Sequence, residues 1–211
     1  YMTIKEQETA GINLTWIRDN LLYHQNELLQ EDEITEVYKI FDKMVEQTKP
    51  GEKKIIFTPW MFGERSPIED HTIRAGLYNI SLDCNRRHLI RAVFEGVAFN
   101  SKWLLKYLEK LVGQKLNPIT IIGGGALSDV WMQIYADILD REVKQLARAK
   151  EGNSIGAALI ASEALGLTTW EEIPSLVNIE KTFKPREKYR EYYDKMFKEF
   201  VKIYKNNKKM Y

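Results

Sequence analysis

The sequence predicts an α/β domain, and three observations predict it. Short β-branched runs alternate with segments of helical apolar spacing over residues 53–166. Hydrophobic residues make up 44% of the 211, ample for one sizeable core. The stretch IIGGGALSDVWMQIYADIL, residues 121–139, reads as strand, turn and helix without a break.

The elements follow in chain order. Ile12, Trp16, Leu21, Leu22, Leu28 and Leu29 predict a helix within 12–29. Ile34, Val37, Ile40, Phe41, Met44 and Val45 keep helical spacing over 33–47. KPGEK at 49–53 is a turn, and Ile55 to Phe57 a buried strand ended by Pro59. A polar loop over 62–75 carries Arg65, Asp70, His71 and Arg74, and a short strand runs from Leu77 to Leu82. Asn85 is placed to cap the longest helix, Arg86 to Val112, with Ile90, Val93, Phe94, Val97, Leu104, Leu108 and Leu111 as its stripe. Residues 118–122, PITII, read as a strand buried on both faces. Ser128 caps a helix over 128–140 that presents Val130, Trp131, Ile134, Ile138 and Leu139 on one face. A strand at 141–146 leads to a helix over 152–166, with Gly166 as its C-terminal cap. The last helix, about 186–204, aligns Tyr189, Tyr193, Met196, Phe200 and Ile203 for packing. KNNKK at 205–209 reads as a frayed tail.

Composition excludes several functions. With 31 basic and 30 acidic residues the net charge is +1, which gives no reason to expect nucleic acid or an anionic membrane as partner. The single cysteine, Cys84, rules out an internal disulfide framework and points to a reducing, cytoplasmic setting. No apolar run approaches the length of a membrane span, and the first residues lack a signal-peptide pattern. His24 and His71 are isolated, and no His/Cys/Asp cluster has metal-ligand spacing.

The glycine triplet, Gly123 to Gly125, admits three readings. It can be a tight turn with close helix–strand packing. It can be part of a GxGxxG dinucleotide fingerprint, but the third glycine position holds Ser128. Asp129 would also oppose a pyrophosphate there, and Glu142 opens the next strand rather than ending it. It can be a nucleoside site, where bare Gly–Gly peptide faces lie against a purine and Asp129 accepts from an amine or a ribose hydroxyl. A P-loop is excluded, because GxxxxGK[ST] is absent.

Four stretches carry a resemblance: TPWMFGERSP (58–67), HLIRAVFEGVAF (88–99), GGGALSDVWMQIYADIL (123–139) and NSIGAALIA (153–161). Together they resemble the C-terminal domain of the FGGY carbohydrate kinases, and within that family the xylulose kinase branch. The signature running from Ala75 through His88, Leu89 and Ala92 to Glu95 departs at Asn79, where the family has glycine. Asn is the next best residue for a left-handed backbone. The resemblance implies one domain over residues 1–211, an RNase H-like, actin-like ATPase domain forming half of a two-domain sugar kinase. It implies ATP and Mg2+ as cofactors and transfer of the γ-phosphoryl to a sugar hydroxyl, that of D-xylulose. Kinases of gluconate, ribulose or glycerol are the alternatives, as is a non-catalytic nucleotide- or protein-binding module.

The same resemblance implies site residues. Gly124 or Gly125, with Ala126, would contact adenosine, and Asp129 would stand at the nucleoside. Ala10, Gly11 and Trp16 of AGINLTW match an element whose glycine lies near the ATP phosphates, and Thr15 matches a position lining the nucleotide. The family's catalytic aspartate precedes that element. Residues 1–9 hold Glu6 and Glu8 and no aspartate, so the catalytic base is expected upstream of Tyr1. A fragment is therefore expected, with no catalytic residue of its own and no N-terminal sugar-binding domain, inactive alone. Magnesium would be held by phosphates, water and a carboxylate of the absent part. Surface left bare by that part would favour self-association, as in a homodimer. Glu64 and Arg65 are read as holding their loop together rather than as catalytic. His88 is read as opening its helix. Glu151, Gly156 and Ala157 are read as letting one helix approach the nucleotide helix closely.

Overall fold

A computed structural model describes residues 5–22 and 36–210. Its strands form two small sheets. In the first, β1 (Ile56–Thr58) pairs antiparallel with β2 (Gly76–Tyr78). In the second, the order is β3-β4-β5, from β3 (Ile119–Ile121), β4 (Val143–Leu146) and β5 (Ile179–Phe183). β3 and β4 run parallel, joined through α4 (Asp129–Leu139), and β5 returns antiparallel to β4. The remaining helices are α1 (Ile12–Ile17), α2 (Val37–Glu46), α3 (Arg86–Val112), α5 (Gly152–Ala164), α6 (Ile173–Leu176) and α7 (Arg190–Asn207).

α3 is the spine of the core. Asn85 starts it, its side chain accepting from the Arg87 amide, while the Asn85 amide donates to Nδ1 of His88. Gly113, in left-handed conformation at φ 72°, closes it. From Ile90 to Asn100 it is buried on every side, because β1, α2 and α4 all pack on it. Gly96 makes the β1 contact possible: a Cβ there would meet the Phe57 carbonyl oxygen at 2.2 Å. Two charges in this stretch are matched within the core. Arg91 Nη1 meets Glu95 Oε1 at 2.9 Å, one turn away, and its other nitrogens reach the Thr48 hydroxyl and the Val45 and Thr48 carbonyls. The Tyr193 hydroxyl donates to the same Glu95 oxygen at 2.9 Å, which ties α7 to α3. Burial pushes the Glu95 carboxyl up against the pull of Arg91.

α7 packs its aromatic face as its spacing predicts, with Tyr193, Met196, Phe197 and Phe200 buried against Trp60, Phe99 and Trp103. It runs on through Asn207, whose side chain donates to the Tyr78 hydroxyl at 2.8 Å, so the expected frayed tail is largely helix. Asn79 does adopt the left-handed backbone, at φ 66°, and its side chain donates to the Lys53 and Lys54 carbonyls. That turn ends β2 at Tyr78, short of the expected Leu82. Gly166 closes α5 as expected. The Gly166 and Leu167 amides return to Glu163 and Ser162, a Schellman arrangement.

Several expectations fail. β3 is an edge strand, with Thr120 exposed and Ile119 and Ile121 only partly covered, so it is not buried on both faces. In the first helix the buried residues are Asn13, Leu14 and Ile17, while Ile12 and Trp16 are exposed. The α-helix gives way to a π-turn at Arg18–Leu22. Leu111 is 64% exposed, so the α3 stripe fades in its last turn. β5 and α6 have no counterpart in the sequence reading. β5 presents four exposed residues in a row, and so carries none of the alternation that marks a half-buried strand. Other expectations fall on residues outside those described. Leu28, Leu29 and Ile34 of the first two predicted helices lie there, as does His24. Tyr1 lies there too, so the expected position of the catalytic aspartate, upstream of Tyr1, has no structural counterpart among the described residues.

Candidate functional site

The turn between β3 and α4 is built from opposing demands on its glycines. Gly123 has φ 90°, a conformation closed to side chains, and its amide donates to the Ala149 carbonyl at 2.7 Å. Gly125 is required by packing, since a Cβ there would meet the Trp131 ring at 2.9 Å. Gly124 is subject to neither demand. Its backbone is not left-handed, its Cβ direction is open, and the residue is exposed. Residues Gly124–Leu127 form a single 3-10 turn with Ala126 buried beneath it. Of the three glycines, Gly124 alone offers a bare face that the fold itself does not use.

Ser128 then caps α4 as predicted. Its Oγ accepts from the Trp131 amide at 3.0 Å and donates to Asp42 Oδ1 at 2.6 Å. Burial raises the Asp42 carboxyl above its ordinary range, and nearby Glu46 and Asp129 add to the effect. Asp129, half exposed in the first turn of α4, meets Lys181 Nζ with Oδ2 at 2.6 Å. Gln145 is buried on β4. Its amide nitrogen bonds the Ala126 carbonyl and lies 3.4 Å from Asp129 Oδ1. Its carbonyl oxygen has no partner among the described residues. Asp42, Gln145 and Lys181 were missed by the sequence reading. Gln145 interrupts a buried strand, and a polar residue there was the available signal, whereas Asp42 lies on the polar margin of α2 and gave none.

The AGINLTW element is less directly connected. Gly11 is exposed, with no atom near its Cβ direction and an ordinary helical backbone. Thr15 exchanges a hydrogen bond of 2.9 Å with the Tyr38 hydroxyl on α2, one turn before Asp42. The structure thus places Gly124, Gly125, Ala126 and Asp129 together, and links Thr15 to them through α2. Asn13, completely buried between Gly11 and Thr15, leaves its carbonyl oxygen unpartnered among the described residues.

Glu64 and Arg65 hold the polar loop. Glu64 Oε1 accepts from the amides of Glu8, Arg65 and Ser66, and Oε2 from the Asn100 side chain at 2.6 Å. Burial raises the Glu64 carboxyl, and these four donors oppose the rise. Arg65 pairs with Glu6 and Glu8. A shallow concavity lined by Gly51, Glu52, His88, Arg91 and Glu95 lies apart from the glycine turn, and its buried Arg91 and Glu95 are already paired with each other.

Gly156 and Ala157 do not approach α4. No described atom lies within 4 Å of a Cβ at Gly156, and Ala157 is exposed. The close approach occurs at Gly152, whose Cβ would meet Ile122, at the end of β3, at 2.8 Å. No helix among the described residues is long and apolar enough to cross a membrane.

Residues 1–165 match the model of the FGGY family of carbohydrate kinases, C-terminal domain. A xylulose kinase of Staphylococcus epidermidis is 30% identical over 203 residues, 95% of this chain and 38% of that protein. A gluconokinase of Bacillus licheniformis is 27% identical over 195 residues, 92% of this chain and 38% of that protein. The crystal structure of a xylulose kinase from Rhodospirillum rubrum superposes with a TM-score of 0.77 at 25% identity, covering 95% of this chain and 38% of that one. The chain therefore spans a little over a third of the length of these relatives. Its α/β architecture is the actin-like ATPase fold of the sugar kinases.

Proposed function

Because the chain belongs to the FGGY family of carbohydrate kinases, we propose that it is the C-terminal domain that holds the adenosine end of ATP in a sugar kinase. The complete enzyme transfers the γ-phosphoryl to a sugar hydroxyl, that of D-xylulose, with an aspartate accepting the hydroxyl proton. The observation that carries the reading is the open face of Gly124 beside Asp129. That bare peptide face leaves room for a purine to lie flat on it, next to a carboxylate that can accept from the nucleoside. Gly11 has the same open geometry in the element expected near the phosphates.

Each residue has a part. Gly124 and Gly125 present peptide faces to the purine, with Ala126 as the buried floor beneath them. Asp129 accepts from the nucleoside, and Gly11 and Thr15 stand where the phosphates are expected. Leu146 ends β4, where a dinucleotide fold would place its acidic ribose ligand, so the strand–turn–helix suits a nucleoside better than NAD. Among the described residues no three His, Cys, Asp or Glu side chains converge as a metal would need. In this reading the Mg2+ of Mg-ATP is carried mainly by phosphates and water. D-Xylulose is favoured by the match to xylulose kinases, and gluconate, through the gluconokinase, is the second reading.

Calorimetric titration with ADP tests the site. Gly124→Val should remove binding while leaving the unfolding midpoint within a degree or two, since its side chain enters open space. Gly125→Val is the contrasting variant, because it strikes the Trp131 ring and should lose stability as well. If Gly124→Val bound ADP as the parent chain does, the turn would have only a structural role.

A further inference from the structure

Lys181 lies on β5, a strand with an exposed face at the edge of the three-stranded sheet. A lysine there ordinarily projects into water and serves only to blunt the edge. This one crosses to α4 and meets Asp129 Oδ2 at 2.6 Å. Asp129 in turn raises the affinity of the Lys181 amine for its proton. From the neighbouring strand, Gln145 bonds the Ala126 carbonyl and lies 3.4 Å from the other oxygen of Asp129. The β4–β5 pair therefore backs the whole turn, from Ala126 to Asp129. Without Lys181 the turn would be strongly negative: Asp129 stands beside Asp42, which has Glu46 for a neighbour. A ligand that carries phosphates would approach that charge at a cost.

Resting on the adenosine-site reading above, we propose that Lys181 is a positioning residue for nucleotide binding. It neutralises Asp129 and holds its carboxylate by Oδ2. Oδ1, bonded only weakly to Gln145, is left to accept from the ribose hydroxyl or amine of a nucleoside diphosphate. Asp129 and Lys181 act as one unit, so removing the cation costs affinity only while the Asp129 carboxylate is present.

The test is ADP affinity by calorimetry at low ionic strength for the unmodified chain, Lys181→Met, Asp129→Asn and the double variant. Lys181→Met should bind about two- to fivefold more weakly, the range of an exposed ion pair, and the loss should shrink in about 0.5 M salt. In the Asp129→Asn background Lys181→Met should cost less than about a further 1.5-fold, because the carboxylate it serves is gone. Parent-like affinity in Lys181→Met overturns the proposal. So does an undiminished loss from Lys181→Met in the Asp129→Asn background, or a loss indifferent to salt, since either marks a purely structural role. If the parent does not bind ADP, or Gly124→Val binds as well as the parent, the adenosine-site reading fails and this inference falls with it. If the parent binds and Gly124→Val does not, indifference at Lys181 overturns this inference alone.

Discussion

Replacing Gly96 by Ala sets two effects of opposite sign against each other. Gly96 lies in the middle of α3, where alanine is favoured by about 1 kcal/mol from helix propensity alone. The structure opposes this gain. The new Cβ would stand 2.2 Å from the Phe57 carbonyl oxygen, whereas carbon–oxygen contacts settle at about 3.3 Å. The obstacle is backbone, on the buried strand β1 and paired with Leu77, so it cannot rotate away as a side chain would. α3 and β1 must separate by about 1 Å, which places the cost near the upper end of the 1–3 kcal/mol typical of overpacking. The net expectation is a loss of about 2 kcal/mol. Urea unfolding followed by circular dichroism should show the midpoint falling by about 1 M at unchanged slope. Gly156→Ala is the internal control. It is also mid-helix, in α5, but has open space about it, and it should be neutral or stabilising by up to about 1 kcal/mol. A Gly96→Ala midpoint equal to or above that of the parent chain would refute the packing argument.

Two further outcomes are expected. Glu64→Gln should destabilise by about 1–3 kcal/mol, read by the same unfolding assay, because it turns an amide nitrogen toward donors whichever way it faces. Asn100 cannot relieve this by rotating, since its carbonyl oxygen already accepts from Trp60 Nε1 at 3.1 Å; unchanged stability would show that the network is not ordered in this direction. Asp42→Asn keeps an oxygen to accept from Ser128 but removes a buried charge. The Asp42 carboxyl is raised in the folded chain, so ionising it costs stability as pH climbs from the ordinary carboxyl value through the higher folded one. The variant should therefore be the more stable at pH 7, with its advantage vanishing at pH values below both. An advantage that grew toward low pH would contradict that sign.

The sequence by itself determined the elements whose evidence is local. α3 is legible from its Asn85 cap to its last turn at Val112, because a cap, a 3.6-residue apolar period and a closing glycine all lie within the chain's own neighbourhood. The same holds for Ser128 opening α4 and for the Gly166 cap, whereas the left-handed turn at Asn79 was expected through the family resemblance. The strand–turn–helix around the glycines was likewise readable, and with it the family resemblance. Only the tertiary structure decided how the glycines divide their work. Gly96 and Gly152 admit a carbonyl and an isoleucine brought from elsewhere in the fold, Gly125 admits the indole of Trp131 six residues on, and Gly124 and Gly156 face open space. Only the structure, too, brought Asp42, Gln145 and Lys181 to Asp129, from α2, β4 and β5. The physical reason is one of range. Periodicity and capping act over a few residues, whereas a steric approach or an ion pair depends on which distant segment the fold carries to that point.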